Sequence, residues 1–196
     1  MKVQLPLART HARELETCGY CPKLCRATCS VSNALPSESL TPWGKMSLSW
    51  LHSRGDLPRD PSIMEAAWAC CGCRACSDFC QHHNPVSETL LAARAQYREL
   101  GFVPARVEQS YERFRGWLLQ DASELGELSA LGRASAPVVL VVGCSYLRQF
   151  RDVALDAVRA AVRLRGNVQV SLECCGLYPR QAGDRETADD QRKRLL

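Results

Sequence analysis

Cysteine dominates two short stretches of this chain, and the second of them decides the fold. It extends from Cys70 to Cys80 and reads CCGCRACSDFC. The first extends from Cys18 to Cys29 and reads CGYCPKLCRATC. Run 1 has the spacing C-x2-C-x3-C-x3-C and consists of Cys18, Cys21, Cys25 and Cys29. Run 2 has the spacing C-x2-C-x2-C-x3-C and consists of Cys70, Cys73, Cys76 and Cys80.

The spacing of run 2 is typical of the bacterial ferredoxin segment that binds [4Fe–4S] clusters. In that segment three closely spaced thiolates hold one cluster and the fourth binds the neighbouring cluster. The two runs together supply the eight thiolates that two clusters require. Applied to both runs, this crossed pattern predicts two sites. Site I consists of Cys18, Cys21, Cys25 and Cys80. Site II consists of Cys29, Cys70, Cys73 and Cys76.

The runs depart from the ferredoxin spacing in two respects, and neither removes a ligand. Ser30 and Gln81 stand where proline usually follows the fourth cysteine, and Pro22–Leu24 fill a gap that is usually two residues long. Cys71, next to a predicted ligand, is expected to be a packed thiol. Structural zinc is the alternative, but its sites usually take two C-x2-C pairs separated by a longer spacer. Four cysteines packed so closely favour the cluster.

Composition places this chain among ordinary globular proteins of a reducing compartment. Of its 196 residues 46% are apolar, and most of the 12 cysteines fall in tight groups, whereas a disulfide framework would scatter them. We therefore expect a cytoplasmic protein. No signal peptide is recognisable at the start, and the longest apolar run, residues 137–142, is far below the roughly 18 residues of a membrane span. The net charge of +4 is spread along the chain and argues against a nucleic-acid binder.

The chain divides into two regions of different character. Residues 1–120 contain both runs among helical patterns, and hardly any segment there alternates with period two. Residues 121–136 are rich in Gly, Ser and Ala and are interpreted as a linker. Helix starts are predicted at Thr41–Pro42 and Asp60–Pro61, at the cap Ser87, and at Pro104. The first region is therefore predicted to be mainly α-helical.

Residues 137–196 read as strand, helix, strand. Val138–Val142 has the composition of a buried parallel strand, a helical pattern follows, and Val168–Leu172 predicts a second strand. A parallel pair connected by a helix ends both strands at the same edge of the sheet. The cysteines that follow these strands should therefore converge as a third, incomplete metal or redox site. They are Cys144, Cys174 and Cys175.

The whole pattern resembles one family of iron–sulfur proteins. The two runs, followed by Gly143-Cys144 and Cys174-Cys175-Gly176, are similar to the iron–sulfur subunits of glycolate oxidase and anaerobic glycerol-3-phosphate dehydrogenase. They also resemble heterodisulfide reductase subunits and lactate-utilisation iron–sulfur proteins. The resemblance implies a helical ferredoxin domain with two [4Fe–4S] clusters over residues 1–120 and a partial α/β cysteine-rich CCG domain over 137–196. In that family a C-x2-C pair follows the CCG motif, and no cysteine follows Cys175 here. The CCG domain is therefore expected to be truncated, vestigial or completed by a partner, and the tail 184–196 favours truncation.

The sequence favours electron transfer over catalysis. It contains neither a G-x-G-x-x-G dinucleotide fingerprint nor a G-x4-G-K-[ST] phosphate loop. The expected role is a non-catalytic subunit that relays electrons from a flavoprotein dehydrogenase or oxidase toward a quinone or another carrier. Such a subunit would lie in the cytoplasm, or at the inner face of the membrane through a quinone-reducing partner. Two alternatives stay open: a disulfide-reductase-like subunit that uses the CCG cysteines, and a zinc-stabilised interaction module.

Overall fold

The computed structural model describes residues 4–120 and 126–195, which are mostly helical with one small parallel sheet. The chain divides into two compact units. Unit 1 consists of the described residues up to Glu108 together with Arg180–Arg185, and unit 2 of those in Gln109–Pro179 and Glu186–Leu196. No helix in the described part of the chain is both long and apolar enough to cross a membrane.

The first region is helical, as predicted, and no strand occurs within residues 4–120. Its α-helices are α1 (Pro6–Arg9), α2 (Ala12–Tyr20), α3 (Ser30–Ala34), α4 (Pro42–Arg54), α5 (Pro61–Glu65), α6 (Ala75–Phe79), α7 (Val86–Glu99) and α8 (Ala105–Gln120). Three 3₁₀ segments lie between them, at Leu24–Thr28, Glu38–Leu40 and Ala66–Ala69.

Two of the predicted helix caps are present. The hydroxyl of Thr41 accepts a hydrogen bond from the backbone N–H of Gly44 at 3.0 Å, and Pro42 occupies the first turn of α4. The carboxylate of Asp60 accepts from the backbone N–H of Ser62 at 2.9 Å and begins α5 in the same way. Each cap satisfies a backbone donor that the helix itself leaves free.

The predicted cap at Ser87 is wrong. Helix α7 begins one residue earlier, at Val86, and Ser87 lies buried in its first turn. The residue before the helix is Pro85, whose carbonyl accepts from the backbone N–H of Thr89 at 3.1 Å. Because the ring of proline fixes φ near the helical value, Pro85 starts the helix without a side-chain cap.

The core of unit 1 is built around α4, which packs against both α2 and α7. Leu15 of α2, Met46 of α4 and Leu90 of α7 are fully buried in one apolar cluster. Each such side chain contributes on the order of 1.5–3 kcal/mol by leaving water. Run 1 begins within α2 and run 2 precedes α7, so this packing sets the separation of the two runs.

Unit 2 contains the sheet. Strands β1 (Val138–Val141) and β2 (Val168–Ser171) pair in parallel, with Val138 opposite Val168. The predicted single helix between them is divided at Phe150 into α10 (Cys144–Gln149) and α11 (Arg151–Arg165). The remaining helices are α9 (Gly126–Ala130), α12 (Leu177–Ala182) and α13 (Arg185–Leu195).

Strand β1 is largely exposed, although its composition predicted a buried strand. Val138, Val139 and Val141 are 41–52% exposed, whereas Val168 and Val170 of β2 are buried. Helices α9 and α11 pack against β2, so β2 takes the buried positions and β1 keeps apolar side chains in solvent. Helix α9 also lies inside the stretch interpreted as a linker, and its Leu128 is fully buried in the core of unit 2. Residues 121–125 of that stretch lie outside the described part.

Two glycines in helices make a matched test of the packing at α4. A Cβ at Gly44 would overlap the backbone carbonyl of Glu38 and lie 2.8 Å from the Cα of Ser39, whereas a Cβ at Gly116 in α8 meets nothing within 4 Å. We expect Gly44→Ala to lower the free energy of unfolding by about 1–3 kcal/mol, because backbone cannot move aside as a side chain can.

Gly116→Ala is the control. It should raise the free energy of unfolding by up to about 1 kcal/mol, because alanine favours the helix over glycine. Urea unfolding followed by circular dichroism measures both changes. Equal effects of the two substitutions would contradict the packing of the Glu38–Leu40 segment on α4.

Candidate metal centre

Both cysteine runs use the same backbone device. Lys23, between the second and third cysteines of run 1, has φ 66°, and Arg74, at the equivalent place in run 2, has φ 65°. Each left-handed residue immediately precedes a short helical turn, Leu24–Thr28 in one case and α6 in the other. A left-handed conformation costs a residue other than glycine roughly 1–2 kcal/mol, and such strain concentrates at functional loops. The repeated turn wraps each run into a compact loop.

The site I cysteines line one cavity. Three come from run 1 and the fourth, Cys80, from run 2. The cavity is also lined by Asn84, by Trp43 of α4, and by Cys76. The indole Nε1 of Trp43 is buried and has no hydrogen-bond partner among the residues that the structure describes. This cavity therefore combines a set of thiols with an unused N–H donor.

The site II cysteines line a second cavity. Cys29 comes from run 1, and the other three come from run 2. Cys71 and Lys45 line it as well. Cys71 is exposed, so its prediction as a packed thiol is wrong. Cys76 borders both cavities, so the two lie side by side within unit 1. The structure thus brings together the members of each predicted crossed set, and their role as ligands stays a prediction.

Asn84 connects the two runs directly. It is 4% exposed, and its side-chain amide donates to the backbone carbonyl of Glu14 at 2.8 Å and to the Sγ of Cys18 at 2.9 Å. The backbone carbonyl of Asn84 accepts a hydrogen bond from the hydroxyl of Ser77, inside run 2, at 2.7 Å. One buried residue therefore fixes the end of run 2 against the start of run 1.

The pKa values of the thiols that line the two cavities are shifted in different directions. Burial raises the pKa of Cys18 to about 12, although the amide of Asn84 acts in the opposite direction. Burial, together with neighbouring thiolates, also raises the pKa of Cys25, and it raises that of Cys76 to about 11. At Cys29 burial is outweighed by hydrogen bonds from Ser32 and by the ammonium of Lys45, so its pKa is lowered. Since a metal ligand must be a thiolate, binding at these sites would release protons.

Two buried cations lie on the side of site II. Lys45 is 2% exposed and its ammonium donates to the Sγ of Cys29 at 3.7 Å. Arg94 of α7 is 3% exposed and donates to the backbone carbonyls of Ala67, at 2.9 Å, and of Cys70. It also donates to the backbone carbonyl and the side chain of Gln181. Among the described residues, no carboxylate lies within ion-pair distance of either cation.

The donors present fit a [4Fe–4S] cluster at each site. Five cysteines line each cavity, including all four of one crossed set. Trp43, with its unpartnered indole N–H, lines the first, and buried cations without a carboxylate suit an anionic group at the second. Within residues 4–120 and 126–195, no group of three or more His, Cys, Asp or Glu side chains is arranged to hold one metal ion. A single metal ion requires its ligands to converge on one point. The thiolates of a [4Fe–4S] cluster lie farther apart, because each binds its own iron atom.

Sequence reasoning missed Trp43, Lys45 and Asn84, which line the cavities, and Arg94, which donates to the backbone carbonyl of Cys70. Arg94 carried a signal, because it lies four residues after Leu90 and three before Tyr97, on the buried stripe of α7. An arginine on such a stripe indicates a buried charge. Lys45 carried no comparable signal, because α4 is buried on most sides and its sequence shows no clear apolar face.

The three cysteines of unit 2 do lie after the two strands, and two of them are in contact. The thiol of Cys174 donates to the Sγ of Cys144 at 3.9 Å. This hydrogen bond is the main cause that lowers the pKa of Cys144 to about 6 and raises that of Cys174. Cys174 is buried and Cys175 is exposed. The pair therefore consists of a thiolate at neutral pH beside a protonated thiol.

The chain matches no model of a protein family, no curated protein and no solved structure. The resemblance inferred from the two runs and the CCG motif thus stays a prediction, and the site geometry has to carry the functional argument.

The hydrogen bond between Cys174 and Cys144 makes a testable prediction. The rate at which iodoacetamide alkylates Cys144 should rise with pH to a midpoint near 6. In Cys174→Ala the donor is lost, and the midpoint should move toward the ordinary thiol pKa of about 8.5. Peptide mapping by mass spectrometry follows Cys144 separately from the other cysteines.

Cys174→Ser is the matched control, because its hydroxyl can donate in place of the thiol. Its alkylation midpoint should stay nearer to that of the unmodified protein than to that of Cys174→Ala. A midpoint that is the same in all three proteins would show that Cys174 does not stabilise the thiolate.

Proposed function

We propose that this protein is an iron–sulfur electron carrier that holds two [4Fe–4S] clusters in a helical ferredoxin-type domain. The observation that carries the proposal is the meeting of both runs at two adjacent cavities, each lined by all four cysteines of one crossed set. Each cavity is lined by cysteines of both runs, which lie far apart in the sequence. Packing of an apolar core does not by itself require cysteines from two distant segments to meet.

The residues of this chain would do the following. The site I cysteines and the site II cysteines would each hold one cluster through four thiolates. When bound, such a cluster accepts and releases single electrons. Asn84 would hold Cys18 in place, and the left-handed turns at Lys23 and Arg74 would aim the thiols inward. Seven of the eight proposed ligands are buried or half-buried, which would limit contact with water, whereas Cys73 is exposed.

Exposed apolar side chains in both runs suit docking of a redox partner. Tyr20, Leu24 and Phe79 are 59–75% exposed, although each lies next to a predicted ligand in the sequence. Large apolar side chains in solvent are typical of surfaces that other proteins cover. We propose a flavoprotein dehydrogenase or oxidase as the electron donor and a quinone or another carrier as the acceptor, as the family resemblance implies. The protein would then work in the cytoplasm, or at the inner face of the membrane through its partner.

Paired substitutions test the crossed assignment. Cys21 and Cys80 come from different runs but belong to the same proposed site, so Cys21→Ala with Cys80→Ala should leave site II intact. After anaerobic purification this variant should contain about four irons with matching sulfide, against about eight in the unmodified protein. Dithionite reduction should give the EPR signal of one unaltered cluster.

Cys76→Ala with Cys80→Ala is the comparison, because it removes one ligand from each proposed site within the same run. It should lose both native EPR signals. Cys71→Ser, which borders the site II cavity without belonging to either set, should keep about eight irons. If the two double variants exchange these results, each run binds its own cluster. About two zinc ions and no sulfide would indicate a structural zinc module instead.

A second candidate function rests on the thiol pair of unit 2. The Cys144 thiolate could attack a disulfide substrate and displace one thiol, and the Cys174 thiol, after losing its proton, would then release the second. The pair would end as a disulfide, two electrons having reduced the substrate. Disulfide reduction that is lost in Cys174→Ser would support this function. The chain would need an electron source to restore the pair, and the proposed clusters would supply it.

A further inference from the structure

The two proposed cluster sites differ in the charge that the protein places beside them. At site II, the ammonium of Lys45 lies 3.7 Å from the Sγ of Cys29, and the guanidinium of Arg94 donates to the carbonyl of Cys70. Both side chains are at least 97% buried. Their described hydrogen-bond acceptors are a cysteine sulfur, backbone carbonyls and the side-chain amide of Gln181.

Site I receives neutral donors instead. The amide of Asn84 lies 2.9 Å from the Sγ of Cys18. Trp43, whose buried indole N–H has no hydrogen-bond partner among the described residues, also lines the cavity. Lys23 also lines this cavity, but its side chain is 38% exposed and pairs with Glu38 at 3.5 Å. Glu38 also pairs with Arg26, at 2.8 Å, so the charge of Lys23 is compensated only in part, and water screens it.

The exposed cation beside site II is compensated in the same way. Arg74 lines that cavity, is 65% exposed, and lies 3.8 Å from a carboxylate oxygen of Glu88. His82 also lines the site I cavity and is exposed. The buried charge beside the two sites therefore differs by Lys45 and Arg94. Burial makes their effect stronger, since the surrounding protein screens charge less than water does.

A buried cation without a carboxylate is costly unless another negative charge lies near. Four thiolates and the group that they hold carry a net negative charge, which grows by one unit when the group takes up an electron. A cation fixed beside such a site stabilises the reduced form more than the oxidised form. Reduction potentials of iron–sulfur clusters respond to local charge and to hydrogen bonds in this way.

We propose that Lys45 and Arg94 give site II a higher reduction potential than site I, so that an electron shared by the two sites resides at site II. The inference rests on the proposed function, since it presumes that both sites hold a cluster. It goes further by assigning unequal potentials to the two sites and by naming the side chains that cause the difference.

The test is an EPR-monitored redox titration of the full chain, purified anaerobically and poised with mediators. Signals are assigned with the variant Cys21→Ala/Cys80→Ala, which retains only site II. In the unmodified protein, site II should be reduced at the higher potential. In Lys45→Met, the ratio of reduced to oxidised site II at a fixed potential should fall by about tenfold or more, a shift of about 59 mV for a one-electron couple. Site I should change by less than half as much.

Three variants keep the result interpretable. Lys45→Arg retains the charge and should keep the potential of site II close to that of the unmodified protein. Lys23→Met removes the exposed, paired cation at site I and should shift neither site appreciably. Arg94→Met should lower the potential of site II in the same direction as Lys45→Met, which provides a second measurement if one variant folds poorly.

The outcomes separate this inference from the proposed function. Equal potentials at the two sites, or equal shifts at both in Lys45→Met, would overturn the inference and leave the electron carrier intact. A lowered potential in Lys45→Arg as well would show that packing, not charge, sets the value. Absence of iron and sulfide from the unmodified protein would overturn both.

Discussion

The packing of α4 between α2 and α7 is the constraint on which unit 1 depends. Cys18 lies within α2, and the loop of run 1 continues from the end of that helix. Run 2 lies immediately before α7, and α4 carries Lys45 to the Sγ of Cys29. The buried contacts among Leu15, Met46 and Leu90 therefore fix both the distance between the runs and the position of the cation. Cysteines forty residues apart can meet only because these three helices hold their ends together.

This arrangement has a cost that bound clusters would offset. Three thiols have raised pKa values because they are buried near one another, two cations are buried without a carboxylate, and Lys23 and Arg74 adopt left-handed conformations. Each of these features destabilises the folded protein when no cluster is bound. Binding of a cluster would turn the thiols into ligands and give the cations a counter-charge. If clusters bind, folding and binding should be coupled, as they are in small metal-binding domains.

Local sequence signals predicted the mainly helical fold and the small parallel sheet, and they did less well where tertiary packing decides. Thr41–Pro42 and Asp60–Pro61 begin helices because capping is a local interaction, and the two β-branched segments form the parallel pair. Three predictions were wrong: the cap at Ser87, one continuous helix across Phe150, and the burial of β1. Asn84 and Lys45 could not be found from their neighbours in the sequence, because their partners lie 66 and 16 residues away. The spacing of the runs, by contrast, was enough to name the two crossed sets of cysteines that each line one cavity.

The most direct test of two clusters in one chain is native mass spectrometry of the protein, purified and sprayed without exposure to oxygen. If both crossed sites hold a cluster, the intact mass should equal that of the polypeptide plus two [4Fe–4S] units. Little of the protein should carry a single cluster. Gentle acidification should remove both units and leave the bare chain. A mass equal to the polypeptide alone, or to the polypeptide with zinc ions, would contradict the assignment of the eight cysteines as cluster ligands.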